Sequence, residues 1–265
     1  MTPADVRHAS DLLWTAWQAG NVIDALPGGC RPATSDEGFA IQALLEARSP
    51  RPLFGWKIAA TSVAGQQHIG VSGPLAGRLL EERVLAAGAD VSLDGNRMAV
   101  AEPEFAFRLR VDLRPRAEPY GVAEVMAAVA TLHPALEIPD SRYVDFVRAG
   151  EAQLIADNAC AHQFVLGPVA SEAWRDVDLA AHEVRARVAG RERSYDREGS
   201  GQAVLGDPRT ALAWLANELP RRGQWLKAGQ VVTTGACMTP LEVLPGDAVT
   251  ADYGKIGSVS VRFTL

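Results

Sequence analysis

Glu102 and Glu104 stand two residues apart in the run Ala101-Glu102-Pro103-Glu104-Phe105-Ala106-Phe107. Side chains alternate between faces along an extended strand, so both carboxylates point the same way. Like charges that close repel, and burying them is costly unless something cancels the charge. A third carboxylate, Glu137, lies between Leu136 and Ile138 in Ala135-Leu136-Glu137-Ile138-Pro139-Asp140-Ser141, where an isolated acid needs a partner. A hard divalent cation meets both demands. Three carboxylates with open positions suit Mg²⁺ or Mn²⁺ rather than zinc, which favours His and Cys. The chemistry implied is metal-assisted work on an oxygen-rich small molecule. The competing reading is a solvated strand edge on which the two glutamates face Arg108 and Arg110.

Other residues offer weaker signals. Lys57, between Trp56 and Ile58, is an amine in apolar surroundings. Such a group has a depressed pKa and can act as an acid or base near neutrality, or it can snorkel out of a half-buried strand. Asp140 could orient a water or a side chain beside the metal, with Ser141 next to it, or the pair could simply make a turn. Asp157-Asn158 precedes Cys160 and His162 and reads locally as a turn pair. The hydroxyls and backbone N–H groups of Thr233-Thr234-Gly235 could hold a carboxylate, or merely turn the chain. His68 and His162, each taken alone, read as ordinary polar residues. The sequence holds no phosphate-binding G-x-x-x-x-G-K-[ST], no G-x-G-x-x-G after a strand, no H-E-x-x-H and no G-x-S-x-G.

These residues need elements to position them. The chain has 265 residues, 48% of them hydrophobic, enough for a sizeable core. Residues 3 to about 48 read as helical: Val6, Ala9, Leu12, Leu13, Ala16 and Trp17 recur at spacings of three and four, and Ser35 can cap a second helix over 36–48. Beyond Pro50-Arg51-Pro52 the character changes. Strands are expected at 54–58, within 99–111, at 136–138, 164–168, 183–188, 231–234, 248–252 and 258–263. Helices are expected at 62–69, 121–132, 146–155 and 208–219, with a glycine-rich loop at 70–77. Strands outnumber helices without alternating regularly with them, which predicts an α+β fold on a mixed or curled sheet and not a doubly wound one. The division predicted is an N-terminal helical region over 1–50 and a β-rich catalytic domain over 51–265, acting as one functional unit.

The net charge of −6, with no Lys/Arg-rich run, predicts no nucleic-acid partner. No apolar run approaches the ~18 residues of a membrane span. Three widely spaced cysteines, Cys30, Cys160 and Cys237, suggest neither a disulfide frame nor a zinc site. With no charged-then-apolar leader pattern at the N-terminus, these features lead to an expected cytoplasmic location.

Taken in order, Gly55-Trp56-Lys57-Ile58, Thr61-Ser62, Glu102-Pro103-Glu104-Phe105-Ala106-Phe107, Glu137-Ile138-Pro139-Asp140-Ser141-Arg142, Asp157-Asn158-Ala159, Thr234-Gly235, Pro245-Gly246-Asp247 and the segment from Ala251 to Phe263 resemble one group. It is the 2-oxopent-4-enoate hydratase / 4-oxalocrotonate decarboxylase branch of the fumarylacetoacetate hydrolase superfamily, and the likeness runs from about residue 38 to the C-terminus. The resemblance implies a mixed β-rich core of the fumarylacetoacetate hydrolase type with an N-terminal helical region. It implies Mg²⁺ (or Mn²⁺) on Glu102, Glu104 and Glu137, with Lys57 beside the metal. On the residues themselves, Asp140 and His162 join Lys57 as catalytic candidates. Ser141, Leu75, Cys160 and Thr234 are the candidates for substrate contact. It implies a small-molecule 2-oxo acid substrate from aromatic ring cleavage and assembly into a homo-oligomer. The activity expected is hydration of 2-hydroxy-dienoates through a metal-bound enolate. The alternatives are a C–C hydrolase of acylpyruvates, in which His68 or His162 with a carboxylate such as Glu37 activates water, and a 2-oxo acid decarboxylase. A non-catalytic partner subunit is disfavoured by the intact Glu102, Glu104, Glu137 and Lys57. The chain departs from the family pattern at Leu75, where many hydratases carry an aspartate, at Cys160-Ala161-His162-Gln163, and at Lys255, where glycine is common.

Overall fold

The computed structural model describes residues 1–191 and 193–265. The N-terminal region holds α1 (Pro3–Ala19) and α2 (Ser35–Ala43). Thr2 and Asp5 form a reciprocal cap at the start of α1, and Gly20 ends it in the left-handed conformation (φ 62°). Thr34, not Ser35, caps α2, and the helix stops at Ala43 rather than running to Arg48. Ala9, Leu13, Leu26, Ile41 and Tyr143 close a small core between this region and the rest of the chain.

The remainder is built on two sheets. In chain order the strands are β1 (Leu53–Ala59), β2 (Leu75–Leu80), β3 (Val84–Ala86), β4 (Asp90–Ser92), β5 (Val100–Leu109), β6 (Val129–Ile138), β7 (Gln163–Leu166), β8 (Glu183–Ala189), β9 (Ser194–Ser200), β10 (Val231–Ala236), β11 (Leu241–Glu242), β12 (Ala248–Asp252) and β13 (Ser258–Thr264). The larger sheet runs β2-β1-β10-β5-β6-β7-β3, with β11 added to β5, and the smaller runs β4-β13-β12-β8-β9. Both are mixed: β1 pairs with β10, β3 with β7 and β4 with β13 in parallel, the other pairs being antiparallel. Between the strands lie α3 (Val63–Ile69), α4 (Val122–Ala127), α5 (Glu151–Ala156) and α6 (Pro208–Glu218). This is the expected α+β architecture built on mixed sheets.

The smaller sheet alternates buried and exposed residues, as in β8. It therefore presents one apolar face, including Val184, Ala186, Val188, Val249 and Phe263, to the molecule's core. The central strands of the larger sheet are covered on both sides. One face of β5 and β6 carries Phe105, Phe107, Leu132 and Leu136 into that core. The opposite face carries Glu102, Glu104 and Glu137.

Several expectations change. The helix expected at 121–132 ends at Ala127, and Val129–Leu132 joins β6, because pairing with β5 (Arg108 against Thr131, Phe107 against Leu132) outweighs the local preference of an alanine-rich run. The stretch 70–77 is not all loop: Leu75–Gly77 opens β2. Its glycine serves close approach, since a Cβ at Gly77 would overlap the Asn158 carbonyl. The helix expected at 146–155 is a short 3₁₀ turn and then α5, broken by Gly150 at φ 86°. Strand β9, with its polar sequence Ser-Tyr-Asp-Arg-Glu-Gly-Ser, was not anticipated; pairing with β8 along its whole length defines it.

Gly55 lies against Val231 in the parallel β1–β10 pair, and a Cβ there would overlap the Val231 backbone. Overpacking of this kind costs about 1–3 kcal/mol. Gly55→Ala is therefore predicted to lower the melting temperature by at least about 2–4 °C; an unchanged melt would contradict the register described.

Candidate metal centre and active-site cavity

Glu102 and Glu137 are directly opposed across the β5–β6 pair, and Glu104, two residues along, shares their face. One carboxylate oxygen from each lies within 4.8 Å of the other two. Glu104 and Glu137 are fully buried, whereas Glu102 is partly exposed to a cavity. The solvated-edge alternative is thus excluded: Arg108 instead donates to the Gly229 carbonyl and Arg110 to that of Ala127.

Lys57 comes from β1 on the same concave side. Its ammonium lies 3.0 Å from Glu137 Oε1 and donates to the Ala159 carbonyl at 2.8 Å. Burial alone would depress its pKa, but the charges of Glu137, Glu102 and Glu104 outweigh that and hold it above the ordinary lysine value. The expected depressed lysine is therefore reversed while its neighbours are charged. In turn, burial raises Glu102 to about 7, assisted by the charge of Glu137. Burial and then the neighbouring carboxylates push Glu104 well up, and burial raises Glu137 despite the opposing pull of Lys57.

Glu104 Oε2 accepts hydrogen bonds from the Thr233 hydroxyl and from the Gly235 N–H at 2.8 Å. Gly235 sits at φ 100°, and a Cβ there would overlap Thr61, so glycine is required for this N–H to face the carboxylate. The Tyr253 hydroxyl spans the Glu104 and Ala135 carbonyls at 2.9 and 3.2 Å, tying β5 to β6 beneath the acids. What remains are buried acceptors with nothing to accept: Glu104 Oε1 and Glu137 Oε2 have no hydrogen-bond partner among the described residues. Three carboxylates against one ammonium, with orphaned oxygens converging, fit a hard divalent cation.

The cavity has a volume of about 760 Å³. Its lining includes Lys57, Glu102, Leu75 and Cys160 among the expected residues. The Cys160 thiol, pushed up to about 12 by burial, stays protonated. Asp140 is not in the lining. Its Oδ1 accepts from the backbone N–H groups of Arg97 (2.9 Å) and Met98 (3.3 Å), whose residues are. Ser141 donates to Asp157 Oδ2 at 2.7 Å, and Thr234 donates to the Phe105 carbonyl at 3.0 Å. Both hydroxyls are committed to the frame rather than aimed at a ligand. His162 also lies outside the lining. Its Nδ1 accepts from the Trp17 indole N–H at 2.8 Å, and burial, then Arg142 and Arg83, holds it neutral with a pKa of about 3. The structure therefore brings neither His162 nor the Asp140 carboxylate to the chemistry as expected.

Sequence reading missed most of the supporting cast. Asn158, Ala159 and Cys160 all adopt left-handed backbone (φ 56°, 51° and 60°), at a cost of about 1–3 kcal/mol each. They are held by two networks. The Asn158 side chain bonds both backbone groups of Arg78, at 2.6 and 2.8 Å. Arg142 clamps the carboxylate and carbonyl of Asp157 together with the Ala161 carbonyl. The outcome is an Ala159 carbonyl turned onto Lys57. Arg78 left no trace in the sequence, Asp157-Asn158 showed locally only as a turn pair, and Thr233 and Gly235 only as part of a segment able to hold a carboxylate.

Residues 78–264 match the family described as Fumarylacetoacetate (FAA) hydrolase C-terminal. Over 268 residues the chain is 32% identical to a 2-keto-4-pentenoate hydratase of Paraburkholderia xenovorans (strain LB400), covering 99% of this chain and 96% of that one. A 4-oxalocrotonate decarboxylase of Pseudomonas putida is 33% identical over 212 residues, 80% of this chain and 77% of that one. The backbone matches the 4-oxalocrotonate decarboxylase from Pseudomonas putida G7, complexed with magnesium and adipate, with a TM-score of 0.87 at 27% identity over 99% and 98% of the two chains. Fold, carboxylate cluster and relatives define an enzyme of the divalent-metal class. The chain belongs to the fumarylacetoacetate hydrolase family.

Metal binding should be linked to protons. The unfolded chain releases the Glu102 proton near the ordinary 4.5, the folded chain at about 7. The stability this group contributes is thus complete below pH 4.5 and lost as pH rises through about 7. A cation takes over the role of the protons, so saturating Mg²⁺ is predicted to raise the melting temperature more at about pH 8 than at about pH 5.5, with proton release on binding. An equal gain at both, or no gain, would contradict the assignment.

Proposed function

We propose that the protein is a Mg²⁺-dependent (or Mn²⁺-dependent) hydratase, a lyase acting on 2-hydroxy-dienoates and 2-oxo acids of the kind formed in aromatic ring-cleavage catabolism. The observation that carries the reading is the meeting of Glu102, Glu104, Glu137 and Lys57 at one end of a cavity, in a chain similar over 99% of its length to a 2-keto-4-pentenoate hydratase. A divalent cation on the three glutamates would supply Lewis-acid polarisation of the substrate's carboxylate and 2-oxygen.

Lys57 does the rest at that end. An ammonium has three donors; Ala159 and Glu137 occupy two sides of it, which leaves one for the substrate's 2-oxygen. From there it stabilises negative charge on that oxygen as the dienol passes to the 2-oxo-3-ene, the hydroxyl proton leaving and a proton arriving at C5. Water then adds at C4 and a proton at C3, giving a 4-hydroxy-2-oxo acid with no carbon lost. Asp140 contributes by fixing the backbone of Arg97 and Met98 in the cavity wall. The Asp157–Arg142–Ser141 network contributes by fixing the Ala159 carbonyl.

The hydrolase alternative is weaker. Glu37 accepts from the Met1 amino group at 2.7 Å and from the Ala33 N–H at 2.7 Å, and so pairs with neither His68 nor His162. Decarboxylation of a 2-oxo acid is the second reading, favoured by the backbone match to 4-oxalocrotonate decarboxylase. The proposal includes a cytoplasmic homo-oligomer in which residues 1–50 and 51–265 form one functional unit. The three cysteines, free and buried, suit a reducing compartment.

Incubation with 2-hydroxypenta-2,4-dienoate and Mg²⁺ is predicted to yield 4-hydroxy-2-oxopentanoate. Release of CO₂ from a 2-oxo dicarboxylate at a higher rate would favour the second reading. Glu104→Gln should lose both Mg²⁺ binding and turnover. Lys57→Met should keep Mg²⁺ binding while kcat falls by at least about 100-fold. A fully active Lys57→Met would contradict the role given to the lysine.

A further inference from the structure

Trp17, near the end of α1, is buried, and three basic side chains gather on it. The guanidinium carbons of Arg83 and Arg142 lie 5.1 and 4.8 Å from the centre of its ring, and the His162 ring centroid lies 6.1 Å away. Their commitments differ. Arg142 answers its charge with Asp157 and also donates to the Asp140 and Ala161 carbonyls. His162, neutral and accepting from Trp17 at Nδ1, carries its proton on Nε2, and that N–H makes no hydrogen bond among the described residues. Arg83 ends the 3₁₀ turn Glu81–Arg83 that follows β2. It is half-buried and has neither an ion-pair nor a hydrogen-bond partner among the described residues. The acids beside it in sequence are spent elsewhere: Glu81 pairs with Arg51 at 3.2 Å, and Glu82 accepts from the Ser49 hydroxyl at 2.8 Å. Burial is the main cause lowering the Arg83 pKa, so its charge is desolvated without a counterion. The indole face offsets part of that loss. It leaves unused the planar N–H fork that matches an oxyanion.

We propose that the surface around Trp17 carries a second ligand site, in which the Arg83 fork and the Nε2–H of His162 receive a small oxyanion, a class that includes phosphate, its monoesters and carboxylates. None of Arg83, Trp17 and His162 lines the cavity, so this site is separate from the metal centre. The chain nevertheless joins the two. Arg142, against the same indole, clamps Asp157 and the Ala161 carbonyl on either side of the loop whose Ala159 carbonyl meets Lys57. An anion held by Arg83 and His162 bridges the turn after β2 to the residues that follow that loop. By mass action it stabilises the folded chain.

The test follows the Trp17 indole N–H, the donor to His162, in nitrogen–proton NMR spectra of the Mg²⁺-loaded protein, the resonance being assigned by its loss in Trp17→Phe. Sodium sulfate is the probe, titrated against sodium chloride at equal ionic strength. Sulfate is expected to shift the resonance saturably, at a concentration at least about ten-fold below any effect of chloride. It should also raise the melting temperature relative to chloride. Methyl phosphate and acetate, titrated in the same way, separate phosphate esters from carboxylates, and a saturable shift by either supports the site. Arg83→Lys keeps the charge but not the fork and should weaken sulfate at least about five-fold. Arg83→Gln should lose both the saturable shift and the sulfate-dependent gain in melting temperature. Shifts no larger than those in chloride, or a sulfate affinity that is the same in the wild type and both variants, would overturn the proposal.

Discussion

Mutual repulsion among Glu102, Glu104 and Glu137 is the constraint around which this protein is organised. The three acids share one face of two adjacent strands, and a single ammonium, that of Lys57, stands against them. With little water to screen them, charges that close either take up protons or require a cation. The raised pKa values of all three acids express the first outcome. The oxygens left without donors express the second. A stable fold alone would be better served by apolar residues at these positions, because a buried, incompletely paired ionic cluster costs more than a packed hydrophobic one.

Much of the surrounding architecture follows from holding that cluster in place. Strands β5 and β6 set the spacing of the acids by register, and Tyr253 locks the two strands together from below. Strand β10 supplies Thr233 and the Gly235 N–H to one carboxylate of the three, leaving the others free to converge. The left-handed run Asn158–Cys160 exists because Lys57 needs an acceptor that does not compete with the acids for charge, and the neutral Ala159 carbonyl is one. Asp157, read in isolation as part of a turn pair, joins Arg142 in stabilising that loop. The polar half of the cavity is thereby rigid and preorganised, while the apolar half, formed in part by α3, α5 and the strand that carries Leu75, is where relatives of the same fold can differ.

The acids themselves were legible because period-two spacing and an acid in an apolar run are local signals. Lys57 was legible for the same reason, though the direction of its pKa was not: that depends on Glu137, which lies on another strand. Thr233 and Gly235 were legible as able to hold a carboxylate, but that the carboxylate is Glu104, and that Ala159 faces Lys57, was hidden because these partners lie more than a hundred residues apart along the chain. His162, an ordinary polar residue when read alone, is a candidate only as the activator of water in the hydrolase alternative. Trp17, 145 residues earlier, takes its ring nitrogen and removes it from the cavity. The sheet was recognisable as mixed, yet Val129–Leu132 and Leu75–Gly77 were misjudged, since cross-strand pairing decided them against local propensity. Polar β9 carried no apolar alternation to read.

Convergence of the three glutamates on a cation, and not on protons or on Lys57 alone, is what the geometry of the cluster requires. Anomalous diffraction from crystals grown with Mn²⁺ and oxalate, a stand-in for the 2-oxo acid head, addresses it directly. One strong peak is expected between Glu102, Glu104 and Glu137, in coordination contact with an oxygen of each, with oxalate on the same ion and facing Lys57. A site with no peak, or a peak held by other side chains while the three carboxylates bond only to one another and to Lys57, would contradict it.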